Sequence, residues 1–181
     1  EKADEILVGI RIMMKAGKVD KAIVGIENNK PDAIKIMQEK ANEYPGIDIV
    51  PLKVQYPQGA EKQLIKALVN REIPSGKLPL DVGCIVNNVG TAFAIYEAVQ
   101  KNKPLIERVV TLTGKRISKR GNFLARVGVP ASMLLEALDE KMPEFTGKII
   151  SGGPMMGKAV NTLDIPVTKG AQMVTTQPTQ L

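Results

Sequence analysis

The sequence predicts an α/β unit with a parallel sheet, followed by a smaller unit rich in antiparallel strands. Up to about Lys101, short β-rich runs alternate with amphipathic helical stretches, the pattern of a parallel sheet covered by helices. After Pro104 the texture changes to runs of alternating apolar and polar residues separated by turns, with one short helical stretch. Hydrophobic residues make up 44% of the 181, enough to bury one good-sized core or two modest ones, and this excludes a disordered tail.

Ile6, Leu7, Ile10, Met13 and Met14 recur at three- and four-residue steps, so Ala3 to Ala16 reads as an amphipathic helix ended by Gly17. Lys21-Ala-Ile-Val-Gly-Ile-Glu27 is a short strand. Pro31 then opens a helix whose buried face carries Ile34, Met37 and Ala41. Ile47-Asp-Ile-Val-Pro-Leu-Lys53 is a second strand, followed by a turn at Tyr56-Pro-Gln-Gly59 and a helix from about Ala60 to Asn70. Pro74, Ser75, Gly76 and Pro79 mark a loop, and Cys84-Ile-Val86 reads as a buried strand leading through Asn87-Asn-Val-Gly-Thr91 into a helix from Ala92 to Lys101. Phe93, Ala94 and Ala98 are expected on its inner face.

In the second unit Glu107-Arg-Val-Val-Thr-Leu-Thr113 and Asn122-Phe-Leu-Ala-Arg-Val127 form a hairpin. A short helix from Pro130 to Leu138 and strands at Lys148-Ile-Ile150 and Met173-Val-Thr175 complete it. Strand, strand, helix, strand and a last strand after a long connection is the order of a small β-grasp domain.

Composition narrows the chemistry. With no His, no Trp and one cysteine, Cys84, these side chains alone cannot build a Ser/His/Asp triad, a Cys/His pair, a zinc site or an iron–sulfur cluster. Net charge is +6 and the pI about 9.4, but the lysines alternate with Asp and Glu and lack interleaved aromatics. That spread fits solvated faces with some attraction for phosphorylated ligands or an acidic partner, and not nucleic-acid recognition. No apolar run approaches the ~20 residues of a membrane span. The chain opens at Glu1 inside a predicted helix, as expected of a piece of a longer protein.

Two turns, expected side by side on the common carboxyl edge of one parallel sheet, could carry a ligand. Tyr56-Pro-Gln-Gly-Ala-Glu61 lies between a strand and a helix, where helix N–H groups face the carboxyl edge of a parallel sheet. Gly59 would let the backbone approach a ligand, Tyr56 would lie against a ring and Glu61 would accept hydrogen bonds; the same residues also read as a plain turn with Glu61 complementing the helix dipole. At Val86-Asn-Asn-Val-Gly-Thr91, Asn87 and Asn88 suit a polar ring edge or a polyol and Thr91 a phosphate, while Asn88 or Thr91 also reads as a helix cap. Ser151-Gly-Gly-Pro-Met-Met-Gly157 lacks the Lys-Ser/Thr ending of a Walker loop, and its methionines are expected to pack on apolar surface.

In order and spacing, Tyr56-Pro-Gln-Gly-Ala-Glu-Lys-Gln-Leu64, Val86-Asn-Asn-Val-Gly-Thr91 and Ile150-Ser-Gly-Gly-Pro-Met-Met-Gly157 resemble the C-subunit family of the Rnf electron-transport complex. More distantly, they resemble the flavin-bearing NADH-binding subunit of respiratory complex I. The resemblance implies a Rossmann-like FMN- and NADH-binding α/β domain over residues 1–103 and a soluble-ligand-binding β-grasp (SLBB) domain over 104–181. It implies that Tyr56, Gly59 and Ala60 line the flavin, that Glu61 lies near both flavin and nicotinamide, and that Asn87, Asn88 and Thr91 contact the flavin. Gly90 stands where the complex I relatives usually have Glu.

The family's glycine-rich FMN loop is expected before the first helix, and its iron–sulfur ligands after Leu181. The resemblance then implies that the whole protein is a peripheral subunit on the cytoplasmic face of the cell membrane, working with other subunits of a ferredoxin:NAD oxidoreductase. It would pass electrons between NAD(H), FMN and iron–sulfur clusters, with no side chain of this chain required as acid, base or metal ligand. A cobalamin reductase subunit of similar build and an interaction scaffold without redox activity are the alternatives.

Overall fold

Asp4 and Glu5 in its first turn and Lys15 in its last complement the dipole of α1 (Ala3–Gly17), whose stripe of Leu7, Ile10 and Met14 is buried. The left-handed residue that stops the helix is Lys18 (φ 52°), one place later than the Gly17 stop expected from the sequence, and its N–H bonds back to Lys15 O at 3.3 Å. The structure is a computed structural model that describes residues 2–115, 117–139, 146–153, 157–170 and 173–178. The chain divides into two units, Glu1–Pro104 and Leu105–Leu181.

In the first unit β1 (Ala22–Glu27) pairs in parallel with β2 (Ile47–Leu52), in register from Ala22 opposite Ile47 to Glu27 opposite Leu52. Between them runs α2 (Pro31–Ala41), with Pro31 in its first turn, where the missing N–H costs nothing. Then come α3 (Glu61–Val69), a 3-10 turn at Pro79–Val82 and α4 (Val89–Lys101). The core gathers Leu7, Ile10 and Met14 of α1, Met37 of α2, Ile47 of β2 and Ala92 of α4.

Two expectations for this unit are corrected. Cys84-Ile-Val86 is not a strand: the segment is irregular, Ile85 is 68% exposed, and the sheet has two strands among the described residues. Three apolar residues carry no periodicity that separates a strand from a loop. The loop is held instead by Gly83 (φ 68°) and by the Arg71 guanidinium, which donates to the Val82 carbonyl at 2.7 Å. On α4, Ala98 is exposed and the buried residue is Ala92, because α4 meets α1 there: a Cβ built on Gly9 would run into the Ala92 carbonyl.

Among the described residues, the second unit is a five-stranded mixed sheet in the order β4-β3-β7-β5-β6. Its strands are β3 (Glu107–Gly114), β4 (Gly121–Arg126), β5 (Thr146–Ser151), β6 (Lys158–Val160) and β7 (Met173–Pro178), with α5 (Ser132–Glu136) between β4 and β5. The last strand lies parallel to the first, Thr111 opposite Met173, and antiparallel to β5. Val110 and Leu112 alternate inward from β3 onto Leu134 and Leu135 of α5. The helix is shorter than expected because Pro130 pairs with Pro166 in an isolated bridge, and the N–H of Ala131 donates to Ile165 O at 3.0 Å. No periodicity in the sequence announces β6. Met155 and Met156, expected to pack on apolar surface, lie outside the described residues.

Gly9→Ala tests the helix contact, since helix propensity alone makes Ala better than Gly by about 1 kcal/mol. The clash with the Ala92 backbone reverses the sign, and thermal melting is expected to show a net loss of about 1–3 kcal/mol. A second test is electrostatic. The backbone N–H of Glu5, at the start of α1, holds its carboxyl below the ordinary carboxylate value; burial opposes this and Lys2, 3.2 Å away, assists. A lowered carboxyl stabilises at neutral pH and loses that effect as pH falls through its folded value. Glu5→Gln is therefore expected to melt lower than the parent at neutral pH, with the two melting curves converging below pH ~4.

Candidate functional site

The sheet presents its carboxyl edge where β2 ends at Leu52, and the chain then runs through Tyr56 to Ala60 before entering α3. The N–H of Gln58 donates to Gln55 O at 2.8 Å and that of Ala60 to Pro57 O at 2.7 Å, across a cis Tyr56-Pro57 bond, so the turn closes on its own backbone. The first bond of α3 runs from Leu64 N–H to Ala60 O at 2.8 Å. Ala60 occupies the N-cap with no side chain able to accept, which leaves the N–H groups of the first turn, from Glu61 onward, without a side-chain cap.

Two features of this turn are not explained by contacts among the described residues. Tyr56 is 67% exposed. Gly59 lacks a left-handed φ, and a Cβ added to it would meet nothing within 4 Å, so neither backbone conformation nor packing demands glycine there. An uncapped helix start, an open glycine and an uncovered ring suit a planar, anionic cofactor, and in that respect the residues present fit FMN.

The second turn is built differently. Asn88 is the N-cap of α4 (φ −73°, ψ 145°), its Oδ1 accepting from the Gly90 N–H at 2.8 Å, while its carbonyl accepts from Thr91 N–H at 2.9 Å and Ala92 N–H at 3.2 Å. The capping role read from the sequence therefore holds, and it leaves the amide NH₂ of Asn88 as a donor. Asn87 and Asn88 are exposed and Thr91 is half-buried.

Tyr56, Gly59, Ala60 and Glu61 are thus brought together on one connection, and Asn87, Asn88 and Thr91 on another. From the sequence, a common strand edge is expected to join the two. That link fails, because residues 84–86 form no strand, and the second turn is positioned by the packing of α4 on α1.

The carboxyl edge also holds a cluster that sequence reasoning passes over. β1 ends beside β2, with Asn28 N–H donating to Leu52 O at 2.8 Å. Beyond it the Lys30 ammonium donates to Glu27 Oε2 at 2.6 Å and to Asn29 Oδ1 at 3.0 Å. The rule that places a ligand at the end of β2 applies equally to the end of β1. Elsewhere in the unit, a hydrogen bond and attraction from Asp4 raise the Lys40 ammonium, burial raises the Tyr44 phenol, and a hydrogen bond from Lys66 lowers the Glu72 carboxyl.

The parallel β1–β2 pair with its connecting helices places the first unit in the α/β class. The chain belongs to the Nuo51 FMN-binding domain family, whose pattern matches residues 1–97. Over 173 residues it is 49% identical to the C subunit of the proton-translocating ferredoxin:NAD(+) oxidoreductase complex of Clostridium ljungdahlii, covering 94% of this chain and 37% of that protein. The C subunit of the ion-translocating oxidoreductase complex of Yersinia pseudotuberculosis is 43% identical over 169 residues, 93% of this chain and 24% of that protein. These relatives bear out the C-subunit resemblance carried by the three motifs, and the chain spans between 24% and 37% of their length. A crystal structure of an NAD+-reducing NiFe hydrogenase in the air-oxidized state shares the fold at a TM-score of 0.74 and 18% identity, over 99% of this chain and 36% of that one.

Asn88 separates capping from ligand recognition. Asn88→Ala is expected to lower the melting temperature by an amount equivalent to about 1 kcal/mol, while Asn88→Asp, which keeps the accepting oxygen, is expected to melt close to the parent.

Proposed function

We propose that this chain is the central part of the C subunit of a membrane-bound ferredoxin:NAD oxidoreductase, and that its first unit forms a wall of the FMN and NAD(H) site. The observation that carries the reading is the β2–α3 turn, where glycine at position 59 has no internal reason, in a chain whose first 97 residues match an FMN-binding family. When bound, FMN supplies the chemistry: it takes a hydride as a pair of electrons and releases electrons singly.

The chain's own residues hold and shield. Gly59 and Ala60 let the backbone come against the flavin ring system, and Tyr56 covers a ring face. The N–H groups at the start of α3 offer partial positive charge. Glu61 accepts from a ring or nicotinamide donor, and Asn87, the free amide of Asn88 and Thr91 meet the polar edge of the flavin or its ribityl chain. The clusters of the whole protein are assigned to a segment outside this chain, since one cysteine cannot ligate a cluster.

The second unit is read as an SLBB β-grasp domain; support comes from its strand order, with the last strand beside the first. The whole protein is read as a peripheral subunit on the cytoplasmic face. No helix among the described residues is long and apolar enough to cross a membrane.

Gly59→Val in the full-length protein is the direct test. Because a Cβ there meets nothing, melting is expected to stay unchanged in the cofactor-free protein while FMN content falls about fivefold or more. Unchanged FMN content overturns the assignment of this turn. Glu61→Gln is expected to retain FMN and slow NADH oxidation about tenfold, read by stopped-flow bleaching of the flavin.

A further inference from the structure

Past the contact of Gly9 with Ala92, α1 and α4 leave an open groove of about 810 Å³. Its apolar surface includes Ile12, Val19 and Val99, and its cations are Arg11, Lys15 and Lys18. Asp20 is the one carboxylate among the lining residues. Val19 is 47% and Val99 60% exposed, unusual for β-branched apolar side chains facing a concavity. Positions 11, 12 and 15 make a second stripe on α1, beside the stripe of Leu7, Ile10 and Met14 that the core uses. Arg11 is steadied by a hydrogen bond from its guanidinium to the Pro45 carbonyl at 2.7 Å, which leaves its other donors available. Among the described residues no ion pair engages Lys15 or Lys18.

We infer that this groove docks an amphipathic helix of another protein subunit, one that carries carboxylates along its polar side. A trough between two helices is the shape into which a third helix lays its apolar face. Basic side chains flanking an apolar floor select an acidic partner and steer its approach. An anionic bilayer would also attract these cations, but it is broad and flat and would call for a convex or planar basic face, with the valines at its summit. Relatives of the chain are named as subunits of multi-subunit complexes, so a neighbouring subunit is the natural source of such a helix. The inference rests on the proposed subunit reading but not on the FMN assignment, since none of the groove residues lies in the two turns assigned to FMN.

The test uses the full-length subunit in its assembled complex. Lys15→Glu combined with Lys18→Glu is expected to reduce co-purifying subunits about fivefold or more at ~0.15 M salt, and high salt is expected to weaken the parent complex in the same way. The melting temperature and FMN content of the isolated double variant are expected to match the parent, which separates lost docking from misfolding or a damaged flavin site. A photocrosslinking residue at Val99 is expected to capture a peptide of another subunit with acidic residues on the polar side of an apolar i, i+3, i+4 pattern. Unchanged assembly of the double variant overturns the inference. So does an adduct with lipid, with this same chain, with a non-acidic segment, or no adduct at all.

Discussion

The close crossing of α1 and α4 at Gly9 is the constraint on which the first unit depends. Without a Cβ at position 9, the helix backbones approach until one lies against the carbonyl of Ala92, and Leu7, Ile10 and Met14 reach Met37 and Ile47 beneath. Glycine inside a helix costs about 1 kcal/mol relative to alanine, a cost that the packing it permits outweighs. The contact also brings the last helix of the unit back onto the first. It is the turn at the start of that last helix that carries Asn87, Asn88 and Thr91.

The two candidate turns are therefore placed by different means. The Tyr56–Ala60 turn follows a strand whose register is set by six pairings with β1, so its origin is a rigid sheet edge. The Asn87–Thr91 turn leaves an irregular segment and takes its position from the helix it begins. Asn88 fixes the start of that helix by accepting from Gly90, and Arg71 ties the preceding loop to the end of α3. A substitution that shifts α4 on α1 would thus move the second turn and leave the first in place. Under the proposed reading, flavin binding is sensitive to packing at Gly9, far along the sequence from either turn.

How much of this is legible in the sequence depends on periodicity. The helices α1, α2 and α3 repeat their apolar residues at three- to four-residue steps, the strands β1 and β2 are six-residue β-rich runs bounded by turn residues, and their observed bounds fall within a residue or two of those expected. Cys84-Ile-Val86 and Lys158–Val160 are both three residues long, and at that length an apolar loop and an edge strand look alike; the first reads as a strand and is a loop, and the second is a strand that leaves no signal. The choice of Ala98 over Ala92 as a buried residue fails because two alanines in one helix differ only by what packs against them, here a glycine of another helix. At the candidate site, the capping role of Asn88 is readable from its place before a helix. The polar cluster of Glu27, Asn29 and Lys30 goes unnoticed although it stands at the end of β1, as Tyr56 to Glu61 stand beyond the end of β2.

A chain without histidine, with one cysteine and few aromatic rings, is poorly equipped for chemistry of its own, yet it keeps an uncapped helix start, an open glycine and an uncovered tyrosine on one sheet edge. Each would be a small defect in a purely structural domain: an N-cap side chain stabilises a helix by about 1 kcal/mol, and a glycine with no conformational need adds entropy to the unfolded chain. The three coincide within a single turn. Under the proposed reading a bound cofactor would account for all three, giving the uncapped N–H groups of α3 an acceptor, filling the open space beside Gly59 and covering Tyr56. Protein groups in such a site need only orient the rings and set the local charge. That division of labour is the reason a chain without histidine and with a single cysteine is compatible with the proposed part in redox catalysis.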